Sequence, residues 1–205
     1  MKKILQVAVA LAIVSSAAHA NLVSNGSFES GDFSSWSANA NNTIDVNVFY
    51  GATNGIYSAQ LDYNRNSGPG FDYLQQSIST VAGTTYKLDF DFEAAPRLGV
   101  VQTLVVSVTN GANTLASLGV SDIATGIVIP AHFSHFSTTF VADGSSATLK
   151  FLDTSLDTFQ TNALIDNVVV DAIDSVTAVP EPGSFALFTF ALAGLGCFAR
   201  RRTVT

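Results

Sequence analysis

The chain has 205 residues, 16 of them Asp or Glu against 9 Lys or Arg, for a formal net charge of −7. Nucleic acid and anionic lipid headgroups repel a surface of that sign, which excludes both as partners. With a single cysteine no disulfide framework is available, so stability must come from core packing, with or without a metal.

In chain order, Lys2 and Lys3 form a positive n-region, Ile4 to Val14 an apolar h-region, and Ala18-His19-Ala20 an A-x-A cleavage pattern. This reads as a signal peptide cut after Ala20. Five of the nine basic residues lie at the two ends of the chain. The stretch between them keeps only Arg65, Lys87, Arg97 and Lys150, with every acid except Glu181, which suits an extracellular domain that binds cations. Residues 21–170 are long enough for one core and one domain.

Nearly every segment of that domain reads as strand or turn, with Gly, Ser, Thr, Asn and Asp clustered between short runs of Val, Ile, Phe and Tyr. Strands are expected from Leu22–Val23 toward Phe28, and at Ile44–Phe49, Tyr57–Tyr63, Tyr73–Ile78, Tyr86–Phe92, Gln102–Thr109, Thr114–Leu118, Phe133–Val141, Thr148–Leu152 and Ala163–Val170. Asn110-Gly111-Ala112-Asn113 is a hairpin signal, and Ala142-Asp143-Gly144-Ser145-Ser146 reads as another connection of that kind. Many short strands with turn clusters and no amphipathic helix indicate an all-β sandwich or jelly roll.

In Lys87-Leu88-Asp89-Phe90-Asp91-Phe92-Glu93 the apolar and charged residues alternate strictly, which places Asp89, Asp91 and Glu93 on one face. A carboxylate row of this kind can hold cations or face a sugar. A solvated sheet face explains it more simply, and neighbours ~7 Å apart are too far for one ion to bridge all three. His132 and His135, at i and i+3 on a strand, point to opposite faces and make a poor metal couple. There is no cysteine nucleophile in the domain and no Gly-x-Ser-x-Gly elbow. Paired carboxylates can hydrolyse a glycoside, yet nothing selects a pair, so the domain reads as non-catalytic and a glycan-active hydrolase is the weakest alternative.

Sugar binding needs aromatic rings beside polar side chains. Trp36, Tyr50, Tyr57, Tyr63, Phe71 and Tyr73 are candidates, and the turn-rich segment from Asn64 to Tyr73 combines amides with Arg65, Phe71 and Tyr73 as a binding loop.

The segment Asn21-Leu22-Val23-Ser24-Asn25-Gly26-Ser27-Phe28-Glu29 through Trp36 resembles the first strand and turn of galactose-binding-like jelly rolls, a fold of several carbohydrate-binding-module families. Gln76 to Phe90, with its Gly-Thr-Thr-Tyr turn, and Ala163-Leu164-Ile165-Asp166-Asn167-Val168 are similar to later parts of the same fold. The resemblance implies a buried Trp36 and a structural calcium held by Glu29, Asp166 and the Ser27 carbonyl. Calcium takes six to eight oxygens, so further ligands must come from loops. Asp166, between Leu164 and Val168 on its strand, needs a partner for its charge.

After a linker at residues 171–178 comes Val179-Pro180-Glu181-Pro182, an apolar run at 183–199 and Arg200-Arg201-Arg202. The run makes a helix only ~25 Å long, which spans a bilayer with thinning and arginine snorkelling. The arginines stay cytoplasmic by the positive-inside rule, leaving the domain outside, anchored in the inner membrane. Cys197 lies within the run and reads as a small membrane-embedded hydrophobe in preference to a lipidation site. The order and spacing of residues 179–205 resemble the PEP-CTERM sorting tail. That resemblance implies recognition and cleavage by an exosortase, release to the cell surface or matrix, and association with extracellular polysaccharide. A structural or adhesive matrix protein without sugar specificity is the alternative.

Overall fold

The computed structural model describes residues 20–39, 45–62, 72–126, 132–156 and 160–173. Residues 1–19 of the expected signal peptide, Tyr63, Arg65, Phe71 and the whole tail from 174 onward lie outside them.

Among the described residues, ten strands form two antiparallel sheets. They are β1 (Ser37–Ala38), β2 (Asp45–Asn47), β3 (Ser58–Leu61), β4 (Tyr73–Ser79), β5 (Thr85–Pro96), β6 (Val101–Asn110), β7 (Asn113–Ile123), β8 (Ser134–Val141), β9 (Ser146–Asp153) and β10 (Thr161–Ala172). Sheet A has the order β1-β4-β9-β6-β7, and sheet B the order β2-β3-β10-β5-β8. No helix occurs among the described residues.

Period-two alternation sends Leu88, Phe90 and Phe92 of β5 and Ile165 of β10 inward from sheet B, to meet Leu104, Val106, Leu149 and Phe151 of sheet A. Phe90 meets Phe151 edge to face at 5.2 Å between centroids, tying the sheets together. Burying one such ring contributes about 1.5–3 kcal/mol. Trp36 is buried as expected, packed on Phe28 and Phe151, with Nε1–H donating to the Asn25 carbonyl at 3.0 Å.

Four expectations need correction. Residues 22–28 form turns rather than a strand, touching β10 through isolated bonds such as Leu22 N–H to the Val170 carbonyl. Gly26 is required there, since a Cβ would collide with the Val168 carbonyl. The 142–146 connection is not a hairpin, because β8 belongs to sheet B and β9 to sheet A. A bulge at Asn167 (φ 53°) shifts the register of β10, so Val168 faces the core while Asp166 and Leu164 point out. Finally, the carboxylate row of β5 is largely covered: Asp91 is 7% and Glu93 3% exposed.

Candidate functional site

Asp166 and Asp91 stand directly opposite each other on the outer face of sheet B. Asp166 is fully buried beneath the β2–β3 loop. Its Oδ2 accepts the backbone N–H groups of Thr53 (2.7 Å) and Asn54 (2.8 Å), and Oδ1 that of Asn167. The Thr53 hydroxyl lies 2.7 Å from Asp91 Oδ2 and 3.1 Å from Asp166 Oδ2. Its one proton can serve only one of the two carboxylates at a time. Burial raises the Asp166 carboxyl above the usual carboxylate range, opposed by these donors.

Glu29 holds the other end of the same loop. Its Oε1 accepts the N–H groups of Ile56 (2.9 Å) and Tyr57 (2.8 Å). Gly55, at φ +88°, leaves the space its carboxyl fills, since a Cβ there would collide with it. So the two acids assigned together from sequence do converge, on one five-residue segment. That donor set, two hard carboxylates beside a loop with its own carbonyls, suits calcium chemically. Among the described residues no three His, Cys, Asp or Glu are placed to hold a metal, so any ion there would also need backbone carbonyls and water. The N–H groups already hold much of the charge.

The acid network continues along β5. His135 of β8 lies between two carboxylates, Nδ1 at 2.8 Å from Asp91 Oδ1 and Nε2 at 3.1 Å from Asp89 Oδ1. The Asp91 bond raises its pKa most, and Asp89 adds to the effect. Lys87 Nζ pairs with Asp89 at 2.8 Å. Glu93 accepts the His132 N–H at 3.0 Å, and burial, with the Asp122 charge, pushes its carboxyl up to about 7. Asp166, Asp91 and Glu93 are thus paired and covered, while Lys87 and His135 at the other end of the network stay about half exposed.

The outer face of sheet A is different. The register places Ser37, Gln75, Lys150, Ser107 and Ser117 in one row across all five strands, with Tyr73, Leu152, Val105 and Gly119 in the next. Neither row contains an acid, although the chain is strongly acidic. Tyr73 lies half-buried on β4, with Lys150 Nζ 4.3 Å from its ring centroid. Among the described residues Lys150 makes no ion pair. Of the expected binding-loop residues only Tyr73 is described. Its aromatic ring among hydroxyls, an amide and one cation matches what a glycan chain requires.

Sequence reasoning missed Thr53, Asn54 and Gly55, whose Thr-Asn-Gly turn signal was present, and Lys150, whose neighbours across the sheet only register reveals.

Residues 178–202 match the PEP-CTERM protein-sorting motif. The chain therefore carries the mark of an exported protein with a C-terminal membrane-anchoring tail. No curated protein matches the chain in sequence. Among solved structures, TmCBM61 in complex with β-1,4-galactotriose is 17% identical with a TM-score of 0.54, over 75% of this chain and 99% of that one. The CBM22-1 xylan-binding domain of Paenibacillus barcinonensis Xyn10C is 16% identical with a TM-score of 0.54, over 79% of this chain and 100% of that one. Arabinose-bound MgGH51 α-L-arabinofuranosidase is 15% identical with a TM-score of 0.54, over 75% of this chain and 26% of that one. At these identities the likeness is one of fold: the described domain is a carbohydrate-binding-module-like β-sandwich.

Proposed function

We propose that this chain is a non-catalytic surface or matrix protein that associates with extracellular polysaccharide, and that an exosortase processes its tail. The observation that carries the reading is the outer face of sheet A, free of acids among the described residues, with Tyr73 on β4 beside Lys150 on the central β9. The acids are concentrated on the other sheet, in a network satisfied from within. Sheets pack ~10 Å apart, so the two outer faces are separated by more than the ~8 Å Debye length at physiological salt, and local groups govern binding. Arg65 and Phe71, expected from the sequence as binding residues, belong to the same reading.

The same reading includes export by the N-terminal segment, anchoring in the inner membrane by residues 183–199, and later release. It also includes a structural calcium on Glu29, Asp166 and the Ser27 carbonyl, which would tie the N-terminal turn to β10. The test is a glycan-array screen of the protein, with neutral and charged polysaccharides. Saturable binding to a defined glycan class supports the proposal. Retention in the matrix without any such binding would instead favour the purely structural role.

A further inference from the structure

At the edge of sheet B, β2 and the residues after it border a half-open cavity of about 270 Å³, lined by Asp45, Val46, Asn47, Val48, Phe49, Tyr50 and Gln60. We infer that this cavity is a second carbohydrate site, one that takes a single neutral sugar ring such as the terminal residue of a glycan. It is separate from the outer face of sheet A and does not depend on Tyr73.

Three features carry the inference. Gln60 is only 3% exposed and lines the cavity, and its side-chain amide makes no hydrogen bond to another of the described residues. An amide that reaches a cavity with its hydrogen-bonding capacity unspent there is available to a polar group of a ligand. Next, Phe49 is 65% exposed at this site and meets Tyr50 edge to face at 5.3 Å between centroids. The pair presents a fixed aromatic surface of the kind that stacks against a sugar ring's C–H groups. Phe49 and Tyr50 are held by their own N–H groups donating to Asn47 Oδ1, at 2.8 and 3.3 Å. Asn47 is itself anchored, its Nδ2 donating to the Ser58 hydroxyl at 3.3 Å.

The lining also selects the ligand class. Among the described residues it includes the Asp45 carboxylate and no Lys, Arg or His, so an anion such as a uronate or a phosphate is disfavoured. Gln60 offers both a donor and an acceptor, and a hydroxyl both donates and accepts. An ammonium group, with donors only, would leave the Gln60 NH₂ unsatisfied. Adjacent hydroxyls on a neutral ring satisfy Gln60 and Asp45 together while the ring stacks on Phe49.

The test is calorimetric titration of the full-length chain with D-galactose, D-xylose and D-glucose, with D-glucuronate as the anionic control. Expected is saturable, millimolar binding of at least one neutral sugar, with glucuronate much weaker. Phe49→Ala and Gln60→Leu should each weaken it by about tenfold or more. Tyr73→Ala should leave it unchanged. Phe49 is exposed, so Phe49→Ala should keep the unfolding midpoint and decides the matter even where Gln60→Leu destabilises the fold. The inference is overturned if no neutral sugar binds saturably, if Phe49→Ala leaves binding intact, or if glucuronate binds equally well. Loss of polysaccharide binding in Tyr73→Ala with sugar binding retained would separate the two sites.

Discussion

Glu29 and Asp166, 137 positions apart in the numbering, take the backbone N–H groups of a single loop between Thr53 and Tyr57. The first acid comes from the turn that opens the domain and the second from its last strand. Together they close the sandwich by clamping one loop from both ends.

Asp166→Ala should therefore strip the Thr53 and Asn54 N–H groups of their acceptor and cost roughly 2–4 kcal/mol. Hydrogen exchange at those two amides should accelerate more than exchange in the core of β5. If calcium binds, adding it should raise the unfolding midpoint of the parent, EDTA should reverse the rise, and the variant should show none. A parent indifferent to both reagents, with an unchanged variant, removes calcium from the account.

Gly55→Ala places a methyl against the Glu29 carboxyl and strains a backbone at φ +88°. A cost of about 1–3 kcal/mol is expected from the backbone alone, with the collision added to it. In a Glu29→Ala background the collision part should vanish, giving a measurable coupling in a double-mutant cycle by denaturant unfolding. Equal costs in both backgrounds would show that Glu29 does not occupy that space.

Stability should fall as pH rises from about 5 to 8. Glu93, raised from 4.5 to about 7, holds its proton more firmly when folded, so its contribution is full below the unfolded value and is lost as pH climbs through 7. His135 acts in the same direction: its raised pKa gives stability below the unfolded value of 6.5 that disappears as pH passes the folded one. Asp89, where burial is outweighed by the combined pull of Lys87, Ser137 and His135 so that its pKa is lowered, loses its contribution only as pH falls below the ordinary value of 3.8. Glu93→Gln should flatten the slope between pH 5 and 7 in thermal unfolding. A stability rising over that range would contradict the burial of Glu93.

The sandwich was legible because alternation and turn chemistry are local. Leu88, Phe90 and Phe92 announce their face within seven residues, and Gly111 its hairpin. The partnership of Glu29 and Asp166 was legible only through the resemblance of their two segments. What they hold was not, because the Thr53 and Asn54 donors are backbone groups that any sequence supplies. The bulge at Asn167 defeated simple alternation, and with it the expected side for Val168. The carboxylate row of β5 was placed on the right face. That it is covered depends on loops folded from distant parts of the chain, and no periodicity reports that. Lys150 beside Tyr73 is a matter of register between β4 and β9, which is settled only when the sheet assembles.

The most direct test of the account is the affinity of the protein and its Tyr73→Ala variant for a polysaccharide that the parent retains. The ring is only half-buried, so the variant should keep its unfolding midpoint within a few degrees. The account predicts saturable binding by the parent and a loss of about tenfold or more in the variant. Binding that Tyr73→Ala leaves untouched, or a parent that binds no polysaccharide, would contradict it.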